Sequence, residues 1–361
     1  MASLEHRTLS PKACGYCATT EKDKLRLCAD CKIIYYCSRD HQVADRKRHK
    51  AGCIAVKKAR ALYKLEDQKL RSQPTNVFDL HSQLQNVQGS GHAFVDVDLG
   101  DYKITRFHLV MTMLDRFGAP GGCIVAVQEA LDHLLEMNRI FDCDDIPLRD
   151  ILPTIHLRLN GTQEAYDFVK WWAESLEGPG LEFQNTPNLS QKITDADALE
   201  ALLELRKGRY MDLAHAVPLF LIKIRAILDL QAIQTTRRAL RGTVPQEIID
   251  LIADNLVSNI VKPRPEILWG HADELTWLIG MLKGQVKRLY KIIDGYNIYF
   301  WELMLKDPYA AAAKRCPYVS HTKEEACTII AWNLGSWIET AGAFDMLMAV
   351  HRAVGNSSSA A

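Results

Sequence analysis

The sequence predicts a mainly α protein, in which a small cysteine-rich N-terminal module precedes an all-α domain of stacked helical hairpins. Three observations point there. Six of the ten cysteines fall between Cys14 and Cys53. From Tyr102 onward, apolar residues recur at three- and four-residue spacing, the period of an amphipathic helix. These periodic stretches, each of about 10–18 residues, are separated by short turn-forming clusters, as in helical hairpins.

The cysteine-rich module comes first. Its ligand-type residues run Cys14-x2-Cys17, Cys28-x2-Cys31, then Cys37-x3-His41 and His49-x3-Cys53. Eight thiols and imidazoles suffice for two closed tetrahedral Zn²⁺ sites. A Cys-x2-Cys knuckle presents two thiolates to one ion, and an i, i+4 pair places two ligands on one face of a helical turn. Thiolate with imidazole suits zinc better than hard cations. A closed site leaves no position for water, so the module reads as structural rather than catalytic. Clustered cysteines without a secretory signal favour metal over disulfides.

The order of these pairs, with "YYCSRDHQ" and "HKAGC", resembles the MYND-type zinc finger, an interleaved cross-brace. The resemblance implies two structural Zn²⁺ ions. Cys14, Cys17, Cys37 and His41 would hold the first, and Cys28, Cys31, His49 and Cys53 the second. Spacing alone leaves interleaved and sequential pairing open. The family usually has Cys where His41 stands, and its Gln-x2-Asp-Trp appears here as Gln42, Asp45 and Arg46. Some MYND fingers bind short proline-rich peptides with that Gln and Trp. Gln42 and Arg46 are therefore the candidate partner contacts, and Arg46 offers no aromatic face for a proline.

The chain's 44 Lys/Arg balance its 44 Asp/Glu, but unevenly. Residues 1–60 hold fourteen Lys/Arg against six Asp/Glu, a net of +8, leaving −8 for the remainder. Arg46, Lys47, Arg48, Lys50, Lys57, Lys58 and Arg60 could indicate nucleic-acid binding. Because His49 and Cys53 fix this segment within the finger and stacking aromatics are absent, they read as a solvated helical face. No apolar run reaches the ~20 residues of a membrane span, and no signal-peptide core is present. The expectation is a cytoplasmic or nuclear protein.

Residues 1–60 are assigned to the finger, 61–101 to a connecting helix and loop, 102–354 to the all-α domain and 355–361 to a disordered tail. A short extended piece is expected at "AFVDVDL". In the helical domain, Phe107, Val110, Met111 and Leu114 mark one helix and Ile124, Val127, Leu131, Leu134 and Leu135 the next. Asp150 is expected to cap "ILPTIHLRL", with Pro153 in the first turn. "AHAVPLFLIKIRAILDLQAIQ" reads as a central helix. Thr243-x2-Gln246 predicts a capping box for "VPQEIIDLIADNLVSNIV", and Thr322-x2-Glu325 one for the final helix. A break is expected near Gly295. The pieces "ALDHLLEM", "RDILPTIHLRL", "YDFVKWW" and "LIKIRAILDL" resemble the helical region of uncharacterised fungal MYND proteins.

A search for chemistry yields little. SET-and-MYND methyltransferases need strands and a Gly-rich cofactor loop that this helical sequence lacks. His271, Asp273 and His321 have the composition of an iron facial triad, but the intervening residues read as helix. Tyr166, Phe168, Trp171 and Trp172 read as packing aromatics, and His133 as a packed histidine. "VPQEIIDLIADNL" resembles only the opening of an F-box helix. Asn160-Gly161-Thr162 reads as a turn. The expected function is therefore that of a non-enzymatic protein–protein interaction module, a regulatory adaptor or corepressor-like factor. A DNA-binding regulator, a ubiquitin-ligase adaptor or a hidden enzyme is the alternative.

Overall fold

The computed structural model describes residues 5–72, 100–140, 147–175, 193–202, 212–240 and 245–358. The extended piece at 93–99, the Pro/Gly-rich segment at 178–190 and Thr243 lie outside these residues. Fourteen α-helices and one two-stranded antiparallel sheet are found among them. The sheet pairs β1 (Arg26–Leu27) with β2 (Tyr35–Tyr36). The described residues fall into two compact units, one within Leu9–Arg149 and the other within Asp150–Pro187 and Gln191–Ala361, to which residues 5–8 also belong. The helices at 100–140 thus share a unit with the finger, and the segment 102–354 is divided between the two.

The finger's unit contains α1 (Arg39–Ala44), α2 (Arg46–Arg71), α3 (Gly100–Arg116) and α4 (Ile124–Ile140). α2 crosses position 60 without a break and packs along α3, which packs on α4. The core face of α3 carries Tyr102, Arg106, Leu109, Val110 and Met113. Only Val110 of the expected stripe is fully buried, because a polar residue occupies that face. Arg106 donates to the Tyr102 hydroxyl at 2.7 Å and to His133 Nδ1 at 3.1 Å. His133 is packed as expected, edge-on to Tyr63 with ring centroids 5.4 Å apart. Burial, then the charges of Arg106 and Arg60, bring its pKa down to about 4, so it packs as a neutral ring.

The second unit contains α5 (Leu148–Arg158, entering at the boundary), α6 (Thr162–Ser175), α7 (Leu213–Leu240), α8 (Gln246–Asp254) and α9 (Pro265–Trp269). It continues with α10 (Ala272–Tyr296), α11 (Phe300–Lys306), α12 (Pro308–Ala312), α13 (Lys323–Ile338) and α14 (Ala343–Ser358). α7 is the expected central helix. It is buried without interruption from Leu213 to Ile227, as an all-round apolar helix must be, and α10 lies along it. Lys223, also in α7, is fully buried and donates to the carbonyls of Ala198 and Glu200 at 2.8 and 2.9 Å. Burial brings its pKa down to about 8.

Several local expectations change. α5 begins at Leu148, so Asp150 sits in its first turn and Pro153 lies inside the helix, where it cannot donate an intrahelical hydrogen bond. α8 starts after Pro245 and ends at Asp254. The chain leaves the helix because the Asp229 carboxylate accepts the backbone N–H groups of Val257 and Ser258 at 2.6 and 3.1 Å. The break expected near Gly295 is present, with α10 ending at Tyr296. α13 is not the last helix, since α14 follows and carries Gly355–Ser358 in helix rather than in a tail.

The Thr322 cap forms: its hydroxyl accepts the Glu325 N–H at 3.2 Å. The Glu325 carboxylate reaches back one residue further, to His321 N–H at 2.7 Å. Thr322→Ala should lower stability by about 1 kcal/mol in urea unfolding. Gly335, on α13, admits the Arg158 side chain so closely that a Cβ there would lie 2.6 Å from Arg158 Nε. Gly335→Ala should therefore displace that guanidinium and cost about 1–3 kcal/mol in the same measurement.

Candidate metal centre

The chain places the eight sequence-assigned ligands in two clusters: Cys14, Cys17, Cys37 and His41, and Cys28, Cys31, His49 and Cys53. Within each, the candidate ligand atoms lie within 4.8 Å of one another. The pairing left open by the spacing is therefore interleaved. Each Cys-x2-Cys knuckle is joined by a pair from further along the chain, skipping one.

Local chemistry builds each half. Cys14 and Gly15 are fixed by backbone hydrogen bonds to Thr19 and Tyr35, and Cys28 N–H donates to Ile34 C=O at 2.8 Å. Ala18 and Lys32, each just after a knuckle, adopt positive φ of 58°, which closes the tight turn at a non-glycine position. Ser38 caps α1 by accepting the His41 N–H at 3.2 Å. Cys37 therefore lies just outside α1, and the Cys37/His41 pair spans a helix start rather than one helical face. His49 and Cys53 do occupy one face of α2, and both are buried. Asp45 precedes α2, accepting the Tyr36 hydroxyl and Arg48 Nε, each at 2.7 Å. Burial, and then the Asp45 carboxylate, hold the Tyr36 phenol above its usual pKa.

The donor geometry fits zinc. Two sulfurs, each ~2.3 Å from a tetrahedral zinc, stand about 3.8 Å apart. Cys17 and Cys37 Sγ are 3.6 Å apart, and Cys28 and Cys53 Sγ 3.8 Å. His41 Nδ1 lies 3.7 Å from Cys14 Sγ and 3.0 Å from Cys37 Sγ, while His49 Nε2 lies 3.7 Å from Cys31 Sγ. The two histidines thus present different ring nitrogens. Burial, then the neighbouring charges of Cys31 and Cys28, push the Cys53 thiol up to about 12. Three thiolates crowded beside one imidazole call for a cation among them. Two Cys3His sets, each with four ligands, fit two Zn²⁺ ions and leave no open position.

The second cluster is tied to the helices of its own unit. Arg60, expected on the solvated basic face, is instead largely buried, its side chain 12% exposed. It pairs with Glu129 of α4 and donates to the Cys31 carbonyl at 3.1 Å. The Phe117 ring lies 5.7 Å from that of His49 and covers Gly52. Ser10 forms a bridge with Cys123, and its N–H donates to Gly122 C=O at 2.7 Å.

Of the candidate partner contacts, Arg46 is exposed at the start of α2. Gln42 is half-buried, accepting from Arg39 at 2.8 Å and directing Nε2 at Cys28 Sγ, 3.9 Å away. Tyr16, 57% exposed, lies over His41 with ring centroids 4.9 Å apart. His271, Asp273 and His321 do not form a ligand cluster. Glu274 accepts the His271 N–H, and His321 Nδ1 meets the Tyr296 carbonyl. Tyr166 and Trp171 are buried as expected, while Phe168 and Trp172 each lie nearly parallel to His215, with ring centroids 6.4 and 5.6 Å away.

A third group, Asp150, Asp212 and His215, escaped the sequence reading. Asp212 accepts both the backbone N–H and the Nδ1 of His215, at 2.9 and 2.7 Å. This caps the start of α7, and Asp-x2-His ahead of an apolar run was the signal for it.

Residues 14–53 match the family described as the MYND finger. No curated protein and no solved structure matches the chain. Among the described residues no helix is long and apolar enough to cross a membrane. The protein is mainly α, with an N-terminal MYND finger whose two Cys3His clusters fit two zinc ions.

Proposed function

We propose that this protein is a zinc-dependent regulatory adaptor of the corepressor-like kind, working without catalytic activity in the cytoplasm or nucleus. The closed coordination of both Cys3His clusters carries the proposal. Zinc held by four protein ligands folds a module and activates no water. The MYND finger is a protein-interaction module, which supports protein partners over substrates. The likeness of the helical region to fungal MYND proteins belongs to the same proposal.

Short proline-rich peptides are the second class of partner. Gln42 favours that reading, and Arg46 opposes it by offering no aromatic face. Affinity capture with the wild-type chain and Cys28→Ser tests the proposal. The expected outcome is a set of partners lost with the variant. Partners that all survive would move the interaction away from the finger.

A further inference from the structure

α2 buries His49, Cys53, Val56 and Ala59 on one side. Its outer side is not uniformly basic. Lys47, Lys50, Ile54, Lys58, Leu62 and Leu65 are all exposed, and they follow one another at three- or four-residue steps. Such spacing places them in one continuous row, about five helical turns long. Ile54, Leu62 and Leu65 are 42%, 51% and 49% exposed, so half of the row is apolar surface left in water. Its cations are also uncommitted. Arg48, Lys57 and Arg60 pair with Asp45, Asp30 and Glu129, whereas Lys47, Lys50 and Lys58 form no ion pair among the described residues. Lysines dominate the first half of the row and apolar residues the second.

Resting on the interaction reading above, we infer that this outer face of α2 docks an acidic amphipathic helix from a protein partner, with carboxylates against Lys47, Lys50 and Lys58 and apolar side chains against Ile54, Leu62 and Leu65. Charge complementarity selects the acidic partner, and the i, i+4 anchors select a helix over an extended peptide. A nucleic-acid backbone would satisfy the lysines but offer nothing to Ile54, Leu62 and Leu65, and this row has no aromatic residue on which bases could stack. Three apolar side chains on a helix whose other face is already packed are too few to anchor in a bilayer.

The test uses the full zinc-loaded chain and fluorescence anisotropy. The probe is a labelled helical peptide of Glu, Asp, Leu and Phe, about 20 residues long, with a scrambled peptide of the same composition as control. Two variants are compared: Lys47→Glu with Lys50→Glu and Lys58→Glu, and Ile54→Ser with Leu62→Ser and Leu65→Ser. Circular dichroism and zinc content confirm that both fold.

The expected result is salt-sensitive, saturable binding of the patterned peptide, weakened about tenfold or more in each variant. Equal binding of the scrambled peptide, or loss only in the charge variant, would overturn the inference, as would tighter binding of duplex DNA or anionic vesicles. Self-association through this face, seen as a dimer that the Ser variant abolishes, would also overturn it. If lysate partners depend on the zinc ligands but ignore both row variants, the adaptor proposal stands and this surface is wrong.

Discussion

Cys28→Ser should reduce the zinc content from two ions per chain to one and loosen the helices of the finger's own unit. The Ser hydroxyl is a poor zinc ligand, and three remaining ligands leave the second site open. Structural zinc supplies roughly 10–16 kcal/mol of apparent binding free energy in isolated finger peptides, comparable with a domain's whole net stability. The loss does not stay within the finger. Cys31 C=O is held by Arg60, which pairs with Glu129 on α4, and His49 packs beside Phe117 at the end of α3. The expected readout is fast hydrogen exchange in α2, α3 and α4, with protection retained in α7 and α10. A variant that keeps two zinc ions, or exchanges faster only in residues 14–53, would contradict this coupling.

Glu339→Ala should be among the most destabilising single changes in the second unit. Glu339 and Arg158 form a two-pronged pair at 2.7 and 3.0 Å, with side chains only 4% and 6% exposed. Removing one partner of such a pair strands a buried charge and costs about 3–5 kcal/mol. Arg225, which donates to Thr162 and Thr340, also feels the Glu339 charge, so Glu339→Ala removes a carboxylate that serves two cations. Replacing both partners, as Arg158→Met with Glu339→Leu, should recover much of the loss. Chemical unfolding of the two variants beside the wild-type chain checks this. A Glu339→Ala cost below about 1 kcal/mol would mean that water reaches the pair.

The zinc ligands were fully legible in the sequence because metal coordination demands particular residues at short, regular spacing. Spacing did not divide them into two sites, since it is the same for either pairing; the resemblance to the MYND finger implied the interleaved division, and the two clusters match it. The helices were legible where the apolar run was long, as for α7, and where a cap marked the start, as at Thr322. They were misread where a polar residue faces inward. Arg106 rotates the buried stripe of α3, and Asp229 ends α8 early by capturing two backbone N–H groups from a distant position. Arg60 was hidden in a basic run for the same reason. Its partners Glu129 and Cys31 are 69 and 29 residues away, and no local pattern marks it. The third cluster, at Asp212 and His215, was overlooked although its spacing was visible, because a helix cap and a ligand pair look alike in sequence.

Native mass spectrometry of the freshly purified full chain tests the central claim most directly. The account predicts a mass excess of two zinc ions per chain, falling to one in both Cys28→Ser and Cys17→Ser. A wild-type chain carrying one zinc or none, or single-ligand variants that retain both ions, would contradict the two-site assignment.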